Sequence, residues 1–268
     1  MGIVDDNGFF DLSSRLPDCE DLRTLLSRGL LDQARLLSRT RQVDFTLDEV
    51  EFLPPNPRAD MRMFALGLSY KAHQEEGGAV APEFPLVFSK HPQSLVGHGR
   101  PLTRPSASTF YDFEGEIAIV IGKAGRAIPA DRAHEHIAAY SLVMDGSVRD
   151  LQHHSLLAGK NFDGSGAFGP WLVTTDEIKD PSKIVLTTRL NGMVVQCTEF
   201  GELLWDVGYI VQYLSTITRL EAGDVISTGT PAGVGIVREP PLLMKAGDVI
   251  EVEASGIGKL RNTVVDEI

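Results

Sequence analysis

The sequence predicts a mainly β (α+β) fold, a rolled sandwich or distorted barrel behind a small N-terminal domain, and three observations carry that reading. Short apolar runs broken by glycine and proline fill most of the chain. One longer amphipathic helix interrupts them, and a leucine-rich segment stands ahead of them, cut off by Pro54-Pro55-Asn56-Pro57. Such a proline cluster continues neither a helix nor a central strand, so it divides a unit of residues 1–58 from one of residues 59–268.

In chain order, Met1 to Asp6 runs straight into a strand-like segment. Leucines at 22, 25, 26, 30, 31, 36 and 37 between Asp18 and Thr40 have helical spacing, and Gly29 splits them into two short helices. Past the linker, strands are expected at Met63–Gly67, Leu86–Ser89, Glu116–Ile121, Ala138–Met144, Trp171–Thr174, Ile184–Leu190, Val225–Thr228 and Val249–Ala254. Asn191-Gly192 marks a hairpin, because both residues accept positive φ. Ala-Gly-Asp-Val-Ile occurs at 222–226 and again at 246–250, each copy a turn feeding a strand. The helix runs roughly from Leu203 to Leu220, with Val207, Ile210, Val211, Leu214 and Ile217 on one face.

Composition narrows the function. A chain of 268 residues with 43% apolar and 23% charged side chains is ordinary for a globular protein. Its net charge of −12 argues against a nucleic-acid partner, which needs clustered Lys and Arg. The longest apolar runs, such as Ile117 to Ile121, are too short to span a bilayer, and no secretory leader is visible. Two cysteines, Cys19 and Cys197, make no disulfide framework and suit a reducing cytoplasm.

The most informative segment is Tyr111-Asp112-Phe113-Glu114-Gly115-Glu116, running into Ile117-Ala118-Ile119-Val120-Ile121. Side chains alternate along a strand, so Glu114 and Glu116 share a face with Ala118 and Val120, and the isoleucines fill the other. Two carboxylates at the mouth of a buried strand repel unless protonated or bridged by a cation. Hard oxygen ligands suit Mg²⁺, Mn²⁺ or Ca²⁺; the plain alternative is a solvated strand end. An apolar strand also ends at Asp145, which would complete a three-carboxylate site, although by itself it reads as a helix N-cap. His73 and Glu76 stand three apart and share a face if helical, a pair suited to water activation or, more plainly, a surface ion pair.

The remaining histidines, at 91, 98, 134, 136, 153 and 154, form no metal motif and read as surface or packing residues. Gly164 to Gly169 fits G-x-G-x-x-G but leads into a strand-like run, so it is no dinucleotide fingerprint. Gly229 to Gly235 lacks the Lys-Ser/Thr of a phosphate loop, yet its backbone N–H groups and Thr230 suit a pocket wall. No G-x-S-x-G elbow is present.

Taken together and in order, several of these segments resemble the fumarylacetoacetate hydrolase family over residues 60 to 268. They are Ser69-Tyr70 with His73 and Glu76, Glu114-Gly115-Glu116, Asp145 with Arg149-Asp150 and Gln152, and Gly159-Lys160-Asn161-Phe162-Asp163. Gly169-Pro170-Trp171, Asn191-Gly192 and Gly223 to Gly235 follow. The resemblance implies a mixed β-sandwich roll, a homodimer, and Mg²⁺ or Mn²⁺ on Glu114, Glu116 and Asp145. It implies His73, paired with Glu76, as the water-activating base, and Lys160 as the stabiliser of enolate charge. Tyr70, Arg149, Gln152 and Thr230 would contact the substrate, and a variable loop around Glu76 to Glu83 would read its tail. Ser69 and Met144 depart from the family's usual asparagines.

The expected function is therefore a metal-dependent hydrolase cleaving a C–C bond in a small anionic 1,3-diketo acid, acylpyruvate-like or fumarylacetoacetate-like. The same centre also serves a decarboxylase or isomerase of a 2-oxo diacid in aromatic or sugar-acid catabolism. A non-catalytic protein tied by a structural ion is the third reading, and the basic residues Lys160, Arg149 and His73 speak against it.

Overall fold

The computed structural model describes residues 1–268 except Asp6, Thr40, Arg41, Ala79 and Ala81. The end of the leucine-rich segment at Thr40, and residues 79 and 81 of the loop at 76–83, thus lie outside the described residues.

Two sheets dominate the described residues. The larger has seven strands in the order Leu86–Lys90, Met63–Gly67, Val225–Ser227, Gly115–Ile121, Ile137–Met144, Gly166–Thr174, Leu95–Val96. The smaller has five, in the order Met193–Glu199, Val185–Leu190, Val249–Ala254, Gly258–Asp266, Leu102–Arg104. Between them lies the main core, where Ile117, Ile119 and Ile121 meet Leu186, Ile250, Val252 and Leu260. On the opposite face of the same strand, Ala118 and Val120 pack with Met63, Val143 and Phe168 under Leu22 and Leu26. The alternation read from Glu114 to Ile121 thus separates two cores, and the strand is buried on both faces.

The first and sixth strands of the larger sheet curl toward one another. A Cβ built on Gly166 would lie 3.2 Å from the Lys90 ammonium, although the two residues belong to opposite ends of the strand order. This near-closure gives the sheet its half-barrel curl and places its concave side around the buried acids.

The N-terminal residues form a hairpin of Gly2–Asp5 and Gly8–Asp11 and two helices, Leu22–Ser27 and Leu31–Ser38. They share a small core of Phe10, Leu12, Leu16, Cys19, Leu25 and Ala34.

Local signals acted as expected at several points. Asn191 and Gly192 have φ of 51° and 82° and join Val185–Leu190 to Met193–Glu199. Both Ala-Gly-Asp-Val-Ile copies turn at a positive-φ glycine, Gly223 and Gly247, and enter strands. Elsewhere the structure differs. The helix spans Val207–Ile217 rather than 203–220, because the Asp206 carboxylate accepts from Tyr209 N at 2.7 Å and so fixes its start. Gly166–Thr174 is one strand, longer than the expected 171–174, because glycines at its start hide the apolar alternation. Asp145 caps no helix, since the residues after it form the short strand Ser147–Val148. No helix among the described residues is long and apolar enough to cross a membrane.

Candidate metal centre

Antiparallel pairing sets Gly115 opposite Met144, which brings Glu114 and Asp145, the residues flanking that pair, side by side. The Asp145 backbone N–H donates to Glu114 O at 2.8 Å. Glu116 follows one pleat inward. One oxygen from each of Glu114, Glu116 and Asp145 falls within a common 4.8 Å. Glu116 and Asp145 have no exposed surface and Glu114 has 6%.

Gly115 permits this arrangement. A Cβ there would meet Thr188 Oγ1 at 2.0 Å, so only glycine lets the acid-bearing strand approach the second sheet. Gly115→Ala should destabilise the fold by about 1–3 kcal/mol through overpacking. It should also weaken metal binding by displacing both glutamates. Thermal unfolding with and without Mg²⁺ measures both effects, and a fully stable variant with unchanged metal affinity would show that the gap is not tight.

Basic groups surround the acids. Lys160, at the end of the helix Leu156–Lys160, places its ammonium 2.6 Å from Glu114 Oε2 and 2.7 Å from Asp145 Oδ2. Lys90, completely buried, lies 2.6 Å from Asp145 Oδ1 and donates to the Lys160 carbonyl. Arg149 joins Glu114 Oε1 at 2.7 Å to Asp112 Oδ2 at 2.8 Å. The buried cluster therefore holds four carboxylates, Asp112, Glu114, Glu116 and Asp145, against three cations.

That imbalance falls on Glu116. Burial first, then Asp145 and Glu114, push its carboxyl up to about 8. Its Oε2 accepts from Ser227 Oγ at 2.5 Å and from Gly229 N at 2.9 Å. Its Oε1 is buried without a hydrogen-bond partner among the described residues. Burial also opposes ionisation of Glu114, but Lys160 and Arg149 outweigh it and hold that carboxyl at about 2. The same acids outweigh burial at Lys160 and raise it, keeping it an ammonium. An unpartnered buried oxygen, converging hard donors and one unneutralised acid are what a divalent oxygen-loving ion would complete, so the residues fit Mg²⁺ or Mn²⁺.

The glycine loop after Val225–Ser227 does something the sequence did not disclose. Its N–H groups face the protein's own acids: Gly229 N donates to Glu116, Gly233 N to Glu76 at 2.7 Å, and Gly235 and Ile236 N to Asp112 at 2.8 and 3.0 Å. Gly229 reaches its position with φ of +89°. Glu76 in turn faces His73 Nδ1 at 2.7 Å, both on the helix Lys71–Glu76. His73 lies close enough to Glu114 to lower that acid's pKa.

The other expected site residues are distributed unevenly. The Tyr70 hydroxyl and Gln152 Nε2 are buried and unpartnered among the described residues. Thr230 has its hydroxyl committed, donating to Gly115 O at 3.0 Å and accepting from Gln196 Nε2 at 2.8 Å. Arg149 is likewise held by two acids. Sequence reasoning missed Lys90, Ser227 and Gln196. Only Lys90 offered a signal, a lysine ending the apolar strand Leu86–Lys90.

Comparison with known proteins shows the family to which the chain belongs. The fumarylacetoacetate hydrolase C-terminal family model matches residues 62–265. Oxaloacetate tautomerase YisK of Bacillus subtilis is 32% identical over 98% of this chain and 94% of its own length. The fumarylacetoacetate hydrolase of Exiguobacterium antarcticum superposes with a TM-score of 0.84 at 35% identity, covering 99% of this chain and 95% of that one. A fumarylpyruvate hydrolase of Pseudomonas aeruginosa, solved with Mn²⁺ and pyruvate, superposes with a TM-score of 0.71 at 31% identity, covering 77% of this chain and 90% of that one. This chain belongs to the fumarylacetoacetate hydrolase family of enzymes.

Proposed function

We propose that the chain is a divalent-metal-dependent tautomerase or isomerase of a small 2-oxo diacid of the oxaloacetate kind. The observation that carries this reading is the centre itself: three buried carboxylates with an unpartnered oxygen, a lysine among them, and a His–Glu pair hung on Gly233 beside them. The name of the Bacillus relative, matched over nearly the full length of both chains, favours isomerisation over the C–C hydrolysis expected from the sequence. The His73 imidazole that would activate water in a hydrolase equally suits proton removal from carbon.

A bound Mg²⁺ or Mn²⁺ would act as a Lewis acid on the 2-oxo group and so acidify the neighbouring C–H. Glu76, fixed by Gly233 N, orients the His73 ring through Nδ1 and leaves Nε2 to take the proton from C3. The Lys160 ammonium offsets the negative charge that spreads onto the 2-oxo oxygen. His73 then returns the proton to that oxygen, giving the enol with no net gain or loss. The unpartnered Gln152 and Tyr70 groups are the donors left for substrate oxygens, while Arg149 and Thr230 hold the frame.

Mg²⁺-loaded enzyme should accelerate keto–enol exchange of oxaloacetate without releasing fragments, followed by ultraviolet absorbance and NMR, and chelation should abolish the effect. His73→Ala should lower the exchange rate about 10²–10⁴-fold. Cleavage of acylpyruvates with no catalysed exchange would return the chain to the hydrolase reading, which the likeness to the Pseudomonas hydrolase supports. Exchange that survives chelation would sink the metal role.

A further inference from the structure

The glycine loop that carries Glu76 is itself held by an arginine outside the acid cluster. Arg238 is half-buried and forms no ion pair among the described residues. Its guanidinium is spent on two backbone carbonyls instead. Nη2 donates to Val195 O at 2.7 Å and to Gly233 O at 2.9 Å, and Nε donates to Gly233 O at 3.2 Å. Two carbonyl oxygens turned toward one nitrogen repel each other, and a charged donor offsets that repulsion. The fit is close: a Cβ on Gly233 would lie 2.2 Å from Val195 O and 3.4 Å from Arg238 Nη2. Gly233, with φ of +106°, is thereby pressed onto the strand Met193–Glu199 of the smaller sheet.

What hangs on Gly233 is the proposed base. The helix Lys71–Glu76 is anchored at its start, where Tyr70 bridges to Leu203 and Leu204 N donates to Ser69 O at 2.8 Å. Its end has less support. Among the described residues, residues 73–78 share one hydrogen bond with the fold outside 68–78, from Gly233 N to Glu76 Oε2 at 2.7 Å. The other Glu76 oxygen faces His73 Nδ1 at 2.7 Å. Contacts in series therefore run from the Arg238 guanidinium through Gly233 and Glu76 to the His73 ring.

We propose that Arg238 is a positioning residue for the His73–Glu76 pair. By holding Gly233 against the smaller sheet, it fixes the Glu76 carboxylate and hence the direction of His73 Nε2. It acts through the two carbonyls and touches neither substrate nor ion. A misdirected base costs rate more than binding, since a displacement of about 1 Å can lower turnover about 10²-fold. The inference deepens the proposed function and rests on it for the proton that His73 moves.

Amide exchange supplies a readout free of turnover. In Arg238→Met the Gly233 amide proton, followed by NMR in the Mg²⁺-loaded protein, should exchange about tenfold faster or more. The Gly229 and Gly235 amides, bonded to Glu116 and Asp112, should keep their rates. With oxaloacetate, kcat should fall about 10–10²-fold while KM stays within about twofold. Arg238→Lys keeps a cation with donors for both carbonyls and should recover most of kcat; it also carries the test if the methionine variant folds poorly. Combined with Glu76→Ala, Arg238→Met should lower kcat no further than Glu76→Ala alone, because the path through Glu76 is already cut. An unchanged Gly233 exchange rate, losses that multiply in the double variant, or a lowered Tm with kcat intact would overturn the proposal. A parent protein without oxaloacetate exchange would instead sink the tautomerase reading, and the Gly233 amide would still decide the role of Arg238.

Discussion

Lys160→Met is expected to separate metal binding from turnover: Mg²⁺ should bind more tightly than to the parent protein, while kcat falls about 10²–10³-fold. The split follows from the position of the ammonium. At 2.6 Å from Glu114 Oε2 and 2.7 Å from Asp145 Oδ2, it occupies oxygens that two proposed metal ligands would offer an ion. Methionine is similar in length and uncharged, so it stops competing for them and leaves the pocket more negative. The same removal takes away the fixed charge proposed to face the developing enolate. In EDTA the variant should lose about 3–5 kcal/mol, the cost of leaving a buried carboxylate without its partner, and Mg²⁺ should restore most of that stability. Titration calorimetry, steady-state kinetics and thermal unfolding read the three effects separately. Weaker metal binding with unchanged kcat would remove Lys160 from the centre.

The sequence disclosed what is local and left dark what arrives from a distance. Glu114 and Glu116 were legible because strand alternation is a local rule, and the two cores on either side of Ile117–Val120 follow that alternation. The hairpin at Asn191-Gly192 and the two Gly-Asp turns were legible for the same reason, since each is fixed by residues that must take positive φ. The grouping of Asp145 with the glutamates needed an ordered family pattern, because taken singly the residue looked like a cap. Lys90 was visible as a lysine ending a strand, but its place in the centre was not. It reaches Asp145 only because the larger sheet curls until its first strand meets its sixth, and no periodicity encodes that curl. Thr230 and Arg149 show the converse limit. Their residue types suit substrate oxygens, yet Gly115, Gln196 and two acids occupy their polar atoms. The glycine loop has the composition of a pocket wall for a ligand, yet its N–H groups are spent on Glu116, Glu76 and Asp112.

The stabilisation that Mg²⁺ gives this protein should grow with pH up to about 8 and then level off, and Glu116 sets that limit. Its carboxyl is raised from 4.5 to about 8 in the folded chain, so between those values the folded state holds a proton that the unfolded state has released. Stability without the ion therefore falls as pH rises through this window, the reverse of an acid with a depressed pKa. Glu114, held at about 2, contributes stability that is lost only in stronger acid, so it does not interfere. Ion binding at Glu116 must expel the proton, which makes apparent affinity rise about tenfold per pH unit below the pKa. Because stabilisation by a ligand scales with the logarithm of its concentration over Kd, the Tm difference between Mg²⁺ and EDTA widens in step. Taking that difference cancels groups that do not sense the ion. Thermal unfolding from pH 6 to 9 with and without Mg²⁺ measures it, and calorimetry in buffers of different ionisation enthalpy should count about one proton released near pH 6.5. A difference that stays flat from pH 6 to 8 would mean that Glu116 is already ionised before the ion arrives, and that the cluster carries its fourth negative charge unaided.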